Sequence, residues 1–349
     1  MKYSTKLVRF LLLAIISTLS VIALSACQGK EAAPAQDQSS SKPKVVTTIY
    51  PLQYMAERIA GDNAQVESLI PNGVEPHGYE PSAQDIIKIE DAKMFVMNGA
   101  GMELWAEDML ASSKNKDLTV VDTSKNTQLL ASEGEEEHEH EHEHAHEADD
   151  HDHEASEHEH EHEHEGEEAH HHHSHGPNDP HLWLSPKRAL AQAEAIYEGL
   201  IAADPSHKDD YQKNYDALKS ELSELDASYT EELSKLSHKS IVTSHTAFAY
   251  LANDYGLKQL GLAGVNGDVE PSPKDMARIV DFVKDNNVSA IFTEELVSPK
   301  VAEAVSKETG AKLDTLFTIE AYTEDMKNNN DDYISLLKKN LETLKKDLA

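Results

Sequence analysis

Cysteine is almost missing from this chain. Cys27 is the only one among 349 residues, so no intrachain disulfide can hold the fold. Basic residues are also short: 31 Lys and Arg face 64 Asp and Glu, for a formal net charge of −33. That balance argues against a nucleic-acid partner, which would want a basic face. No apolar run reaches the roughly 20 residues of a membrane-spanning helix. No HExxH helix of a zinc-dependent hydrolase is found, since those letters occur only within an alternating His/Glu tract that has no apolar face, and no general base stands beside a candidate metal ligand. From Ser206 to Leu236 there is neither glycine nor proline.

The N-terminus carries Lys2, Lys6 and Arg9, then an apolar run from Phe10 to Ala23, then "LSAC" at Leu24–Cys27. This is a secretion signal at residues 1–26. Cys27 is either a leftover thiol or the acceptor of a lipid. Its place in "LSAC" resembles a bacterial lipobox, in which cleavage precedes the cysteine and the thiol carries a diacylglyceryl group. Two or more acyl chains anchor stably where one does not. Residues 27–43 are small, polar and proline-containing, the composition of a flexible tether.

From Lys44 the chain alternates β-branched runs with helical stretches, the pattern of an α/β fold with parallel strands. "KVVTTIY", "AQVESLIP", "KMFVMNG" and "LTVVD" read as strands in the first half; "KSIVTS", "LKQLGLAG", "VSAIFTEE" and "AKLDTLFT" read as strands in the second. Between the halves, Tyr211, Tyr215, Leu218, Leu222, Leu225, Tyr229 and Leu236 recur at helical spacing. About 26 residues of helix would span roughly 40 Å, the width of a domain. Such a stripe suits either a coiled-coil partner or a strut between two lobes, and too few heptads are sustained for the former. The expected layout is an N-terminal lobe over 44–205, a linking helix over 206–236 and a C-terminal lobe over 237–349. "EPSAQDIIKI" at Glu80–Ile89 echoes "EPSPKDMARI" at Glu270–Ile279, so a similar capped loop is predicted to enter a similar helix in each half.

Histidine is concentrated. Between Glu133 and His175 stand 19 acids, no Lys or Arg, and 16 of the 21 histidines. They are His138, His140, His142, His144, His146, His151, His153, His158, His160, His162, His164, His170, His171, His172, His173 and His175. The segment 133–176 cannot form a core and is expected to be a disordered loop. At about 40 residues it would reach roughly 35 Å. It runs directly into His181, so it is expected to act as an auxiliary metal-collecting loop rather than as the principal site.

Five histidines lie elsewhere. His207 and His238 sit among charges and read as surface residues. His77, in "LIPNGVEPHGYEPS", and His245, in "IVTSHTAF", each follow a strand. His181 lies in the proline-bracketed "NDPHLWLSP". Ligands of open α/β sheets bind beyond the carboxyl ends of strands. Three imidazoles plus one further donor complete a tetrahedral zinc shell. Glu294, Glu295 and Glu320 are the candidate acids, all near predicted strand ends.

In combination, the lipobox, "EPHGYEPS", the acidic His-rich insertion, "DPHLWLSP", "VTSHTAFAYLA", the second "EPS" loop and the terminal amphipathic helix resemble the zinc-binding members of the metal-specific solute-binding lipoproteins of bacterial ABC transporters, the AdcA/ZnuA-like group. The likeness covers nearly the whole mature chain. It implies two Rossmann-like lobes joined by one long rigid helix, with Zn2+ in the inter-lobe cleft on His77, His181, His245 and Glu320. Glu294 and Glu295 match an acidic pair that the group does not usually assign to the metal. "FTIEAYTED" lacks the "EG" pair expected around the fourth ligand. Manganese-specific relatives place a carboxylate where this chain has His245. The resemblance further implies a monomeric, non-catalytic protein that captures zinc and hands it to an ABC transporter permease. It would be lipid-anchored on the extracytoplasmic face of the membrane, in a Gram-positive cell. A manganese-binding or adhesin-type relative, a metal buffer and a zinc hydrolase are the alternatives.

Overall fold

Eight short runs, seven of them carrying β-branched residues, become eight four-residue strands, and they sort into two separate sheets. The computed structural model describes residues 42–132, 178–265, 267 and 271–349. The expected secretion signal, Cys27, nearly all of the expected tether, the sixteen clustered histidines and Glu270 of the second "EPS" loop lie outside the described residues. Pro43–Ala349 forms one compact unit that holds two α/β lobes.

The first lobe contains β1 (Lys44–Thr47), α1 (Tyr50–Ala60), β2 (Gln65–Ser68), α2 (Ala83–Glu90), β3 (Met94–Met97), α3 (Ala106–Ser112), β4 (Thr119–Asp122) and α4 (Pro186–Ala203). After α5 (Lys208–Ser234) come β5 (Ser240–Thr243), α6 (Ala249–Tyr255), β6 (Lys258–Gly261), α7 (Pro273–Asp285), β7 (Ala290–Thr293), α8 (Lys300–Thr309), β8 (Lys312–Thr315), α9 (Glu324–Asn329) and α10 (Tyr333–Leu348). Strand order is β2-β1-β3-β4 in one sheet and β6-β5-β7-β8 in the other, and every pairing is parallel. Each sheet therefore opens its strand carboxyl ends on a single edge, where ligand loops belong.

The echo between halves has a structural meaning. α2 and α7 occupy the same place, between the outer strand and the third strand of each sheet. Both begin with a reciprocal capping box, Ser82 with Asp85 and Ser272 with Asp275. Each box satisfies two backbone N–H groups that the first helical turn leaves unpaired. Gly256 and Gly310 cap α6 and α8 in the left-handed conformation.

α5 is the strut. It buries Tyr211, Tyr215, Leu218, Leu222, Leu225, Tyr229 and Leu233. The last position of the predicted stripe moves from Leu236 to Leu233, because the helix stops at Ser234 and Leu233 lies four residues after Tyr229. The stripe belongs to one apolar cluster that runs from β1, α1 and α4 through α5 to β5, α6 and α10. Polar contacts tie α5 to both sides as well. Arg58 on α1 makes a paired bridge to Glu221 at 2.6 and 3.2 Å, and the Tyr229 hydroxyl donates to the Leu337 carbonyl at 2.6 Å. No helix among the described residues is long and apolar enough to cross a membrane.

Three elements differ from expectation. "KVVTTIY" yields a strand only to Thr47; Tyr50 already starts α1, with Pro51 in the first turn, where its missing N–H costs nothing. "GMELWAEDMLASS" reads as helical from Gly101, but α3 begins only at Ala106. α9 was not expected. Only Met326 is buried along it, so no apolar period marks it.

Candidate metal centre

Four loops at strand carboxyl ends bring His77, His181, His245 and Glu320 together. His77 follows β2, His245 follows β5, Glu320 follows β8, and His181 lies on the return segment beyond β4. All four are buried, and one ligand atom from each lies within 4.8 Å of the others. His181 Nε2 stands 3.1 Å from His77 Nε2 and 3.3 Å from His245 Nε2. Glu320 Oε1 is 3.5 Å from the Nε2 of all three histidines. Donors on a tetrahedron at the usual zinc distances of about 2.0–2.2 Å would be roughly 3.3–3.6 Å apart. The spacing fits.

The protonation pattern fits too. His181 Nδ1 lies 3.0 Å from Asp179 Oδ1, and His245 Nδ1 bonds Glu294 Oε2. With the ring N–H at Nδ1 directed to a carboxylate, each Nε2 lone pair faces inward. A proton on His181 Nε2 could bridge only one of its two imidazole neighbours. Glu320 Oε1 is fully buried and accepts no hydrogen bond of good geometry. Buried acceptors converging on one point, one of them anionic, call for a cation.

Electrostatics follows from the same contacts. Burial alone would lower the pKa of His181 and His245. For His181 the charge and hydrogen bond of Asp179, with Glu320, outweigh burial and raise it. For His245 the Glu294 carboxylate, with Glu320, raises it well above the ordinary histidine value. Burial would raise the Glu320 carboxyl, but the three imidazoles hold it well below the usual carboxylate range.

The acid brought into the cluster is Glu320, and the two other candidates support it. Glu294 also accepts the His245 backbone N–H at 3.1 Å. Glu295 accepts the Thr318 and Ile319 N–H groups at 3.0 and 2.7 Å. Ile319 has φ +58°, left-handed backbone that a β-branched residue rarely adopts. That conformation costs on the order of 1–3 kcal/mol. Glu295 from one side, and Trp183 Nε1 donating to the Thr318 carbonyl at 2.7 Å from the other, hold the turn that aims Glu320. His207 and His238 are outside the cluster; His207 pairs with Asp204 at 2.5 Å.

Asp179 and Glu75 were not singled out in the sequence. Asp179 precedes His181 by two residues and also accepts its backbone N–H at 2.8 Å. Glu75 precedes His77 by two and accepts its N–H at 2.9 Å. Acid, proline, histidine is thus a local signal in both loops. Replacing Asp179→Asn or Glu294→Gln is expected to weaken zinc binding about 10–100-fold, because each anchors an imidazole that would donate to a metal in this cluster. Equilibrium competition with a chelator of known affinity measures it.

The base of the His-rich segment is described although its body is not. Ala131 pairs with Asn178 in an antiparallel bridge, and the Asp179 N–H donates to the Leu130 carbonyl at 2.9 Å. The Tyr250 hydroxyl clamps both sides: it accepts the Leu130 N–H at 3.1 Å and donates to the Asp179 carbonyl at 2.8 Å. The segment therefore leaves and rejoins the fold at one point, three residues before His181.

Comparison with known proteins agrees with this geometry. Residues 45–347 match the ZnuA family model, described as the zinc-uptake complex component A, periplasmic. The zinc-binding lipoprotein AdcA of Streptococcus pneumoniae strain R6 is 38% identical over 331 residues, which is 95% of this chain but 60% of AdcA. The chain thus spans under two thirds of that relative's length. The high-affinity zinc uptake system protein ZnuA of Bacillus subtilis strain 168 is 36% identical over 325 residues, 93% of each chain. The crystal structure of the Zn(II)-bound ZnuA-like domain of Streptococcus pneumoniae AdcA covers 88% of this chain and 99% of that domain, with TM-score 0.68 and 36% identity. The laminin binding protein Lmb of Streptococcus agalactiae, described as having adhesin and metal transporting activity, aligns at TM-score 0.70 and 34% identity over 88% of this chain and all of that one. Identity at this level along nearly the whole folded chain fixes the assignment: the protein belongs to the ZnuA family of zinc-uptake components.

Proposed function

We propose that this protein captures Zn(II) outside the cytoplasmic membrane and delivers it to an ABC transporter permease. One observation carries the reading: three buried imidazole nitrogens and one buried carboxylate oxygen converge at tetrahedral spacing between the two lobes. His77, His181, His245 and Glu320 are the proposed ligands. Three nitrogen donors favour zinc over manganese, which is better served by oxygen. The protein acts as a monomer, lobe 44–205 and lobe 237–349 holding the ion between them. Cys27 carries the lipid that keeps it on the extracytoplasmic face, in a Gram-positive cell. The sixteen histidines of 133–176 collect zinc at lower affinity and raise its concentration near the cleft.

Catalysis is not part of the reading. With Glu320 as the fourth donor the shell is closed, and no position is left for an activated water.

Zinc affinity is expected to fall with pH. Protons compete with the metal for each Nε2. His181 and His245 hold their protons to higher pH than an ordinary histidine, so competition starts above about pH 6.5 and grows as pH drops. Each displaced proton changes the affinity by up to about tenfold per pH unit. Titration at pH 7.5 and 5.5 should therefore differ by roughly 100-fold or more. Equal affinities would contradict a site built on imidazoles.

A further inference from the structure

The four proposed ligands have side chains only 0–2% exposed, so an ion cannot reach them directly from bulk water. One cavity of about 290 Å³ leads to them, lined by His77, His245 and Glu320 but not by His181. Much of its wall is apolar, with Leu262, Leu296, Val297 and Val301. Among its described lining residues, the only carboxylate besides Glu320 is Glu75.

Glu75 differs from the four ligands in one respect: its side chain is 36% exposed. It touches solvent and site at once, with Oε1 3.9 Å from His77 Nε2. Its orientation is fixed. Oε1 accepts the His77 N–H at 2.9 Å and Oε2 accepts the Gly78 N–H at 3.3 Å. Two hydrogen bonds leave each oxygen with a free lone pair for a cation. Pro76, between Glu75 and His77, restricts the backbone that separates the two side chains.

We propose that Glu75 is an entry ligand: it binds zinc at the cavity mouth, replaces part of its hydration shell, and passes it to His77 and then to the closed shell. The proposal rests on the zinc-capture reading. Hydrated zinc crossing an apolar wall loses water before it gains protein donors, unless a donor stands on the path. A carboxylate close to the first imidazole lets ligand exchange proceed one bond at a time. A group that binds the ion in transit but not in the final shell speeds arrival and departure alike. Glu75 would thus set the exchange rate, while the four buried donors set the affinity.

The test uses the full chain and zinc alone as the probe. Trp183, fully buried with its ring centroid 5.3 Å from that of His181, is the fluorescent reporter, and the part of the zinc signal that His245→Ala abolishes is the part due to the cleft. Stopped-flow fluorescence would follow zinc association, and release into excess chelator, for the native chain, Glu75→Gln, Glu75→Asp and His245→Ala. The expected result is about tenfold slower association and similarly slower release for Glu75→Gln, with partial recovery in Glu75→Asp, which restores the charge at shorter reach. Association should also lose part of its ionic-strength dependence in Glu75→Gln, which a merely structural role would not cause. Rates within twofold of native would overturn the proposal, as would weaker binding from faster release alone. If the native chain gave no zinc signal that His245→Ala abolishes, the capture reading itself would fail.

Discussion

Replacing His181→Ala should cost about 100–1000-fold in zinc affinity. Apparent free energies for four-ligand structural zinc sites are about 10–16 kcal/mol, so one donor of four accounts for roughly 2.5–4 kcal/mol. At about 1.4 kcal/mol per decade this gives the stated range. His181 is the most telling of the three histidines. It is fully buried and its Nε2 neighbours both other imidazoles. It is also the one that does not line the entry cavity. Chelator competition, with circular dichroism to show that the variant is folded, reads the loss. A variant that keeps native affinity would remove His181 from the shell.

Zinc should also stabilise the fold by several degrees. A ligand that binds only the folded state at about 100 times its dissociation constant adds about 2.7 kcal/mol. For a chain of this size 1 kcal/mol moves the melting temperature by about 2–4 °C, so the expected rise is about 5–10 °C. The proposed ligands come from loops of both sheets, so zinc held by them would tie the two halves together. Zinc held by the clustered histidines in the unfolded chain would subtract from the rise. The same scan on His245→Ala should show little or no rise. Equal shifts in both proteins would mean that the stabilising ion sits elsewhere.

Much of this was legible in the sequence, for identifiable reasons. Parallel strands reveal themselves as β-branched runs, and the strut reveals itself as a stripe of tyrosine and leucine free of glycine and proline. The three histidines stood out because each is set in a turn-rich loop or beside a strand end. Their convergence was not legible. His77 and His181 are 104 residues apart, and His181 and His245 are 64 apart, and only the two sheet topologies bring them together. The choice of Glu320 over Glu294 and Glu295 is likewise a matter of packing. The two acids after β7 are drawn to the His245 ring and to the 318–319 backbone, which leaves the strand-end acid after β8 to face the imidazoles. α9 escaped notice because a short helix with one buried side chain has no period to read.

The pinned base of the His-rich segment makes the decisive measurement practical. Because Ala131 and Asn178 are already paired, residues Glu135–His175 can be removed without pulling the fold apart. Zinc stoichiometry and affinity would be measured by chelator competition on the chain from Lys44 with that deletion. The account predicts one tight ion, lost on His77→Ala or His245→Ala. No tight ion in the deleted chain would place the capture site among the clustered histidines and contradict the cleft mechanism.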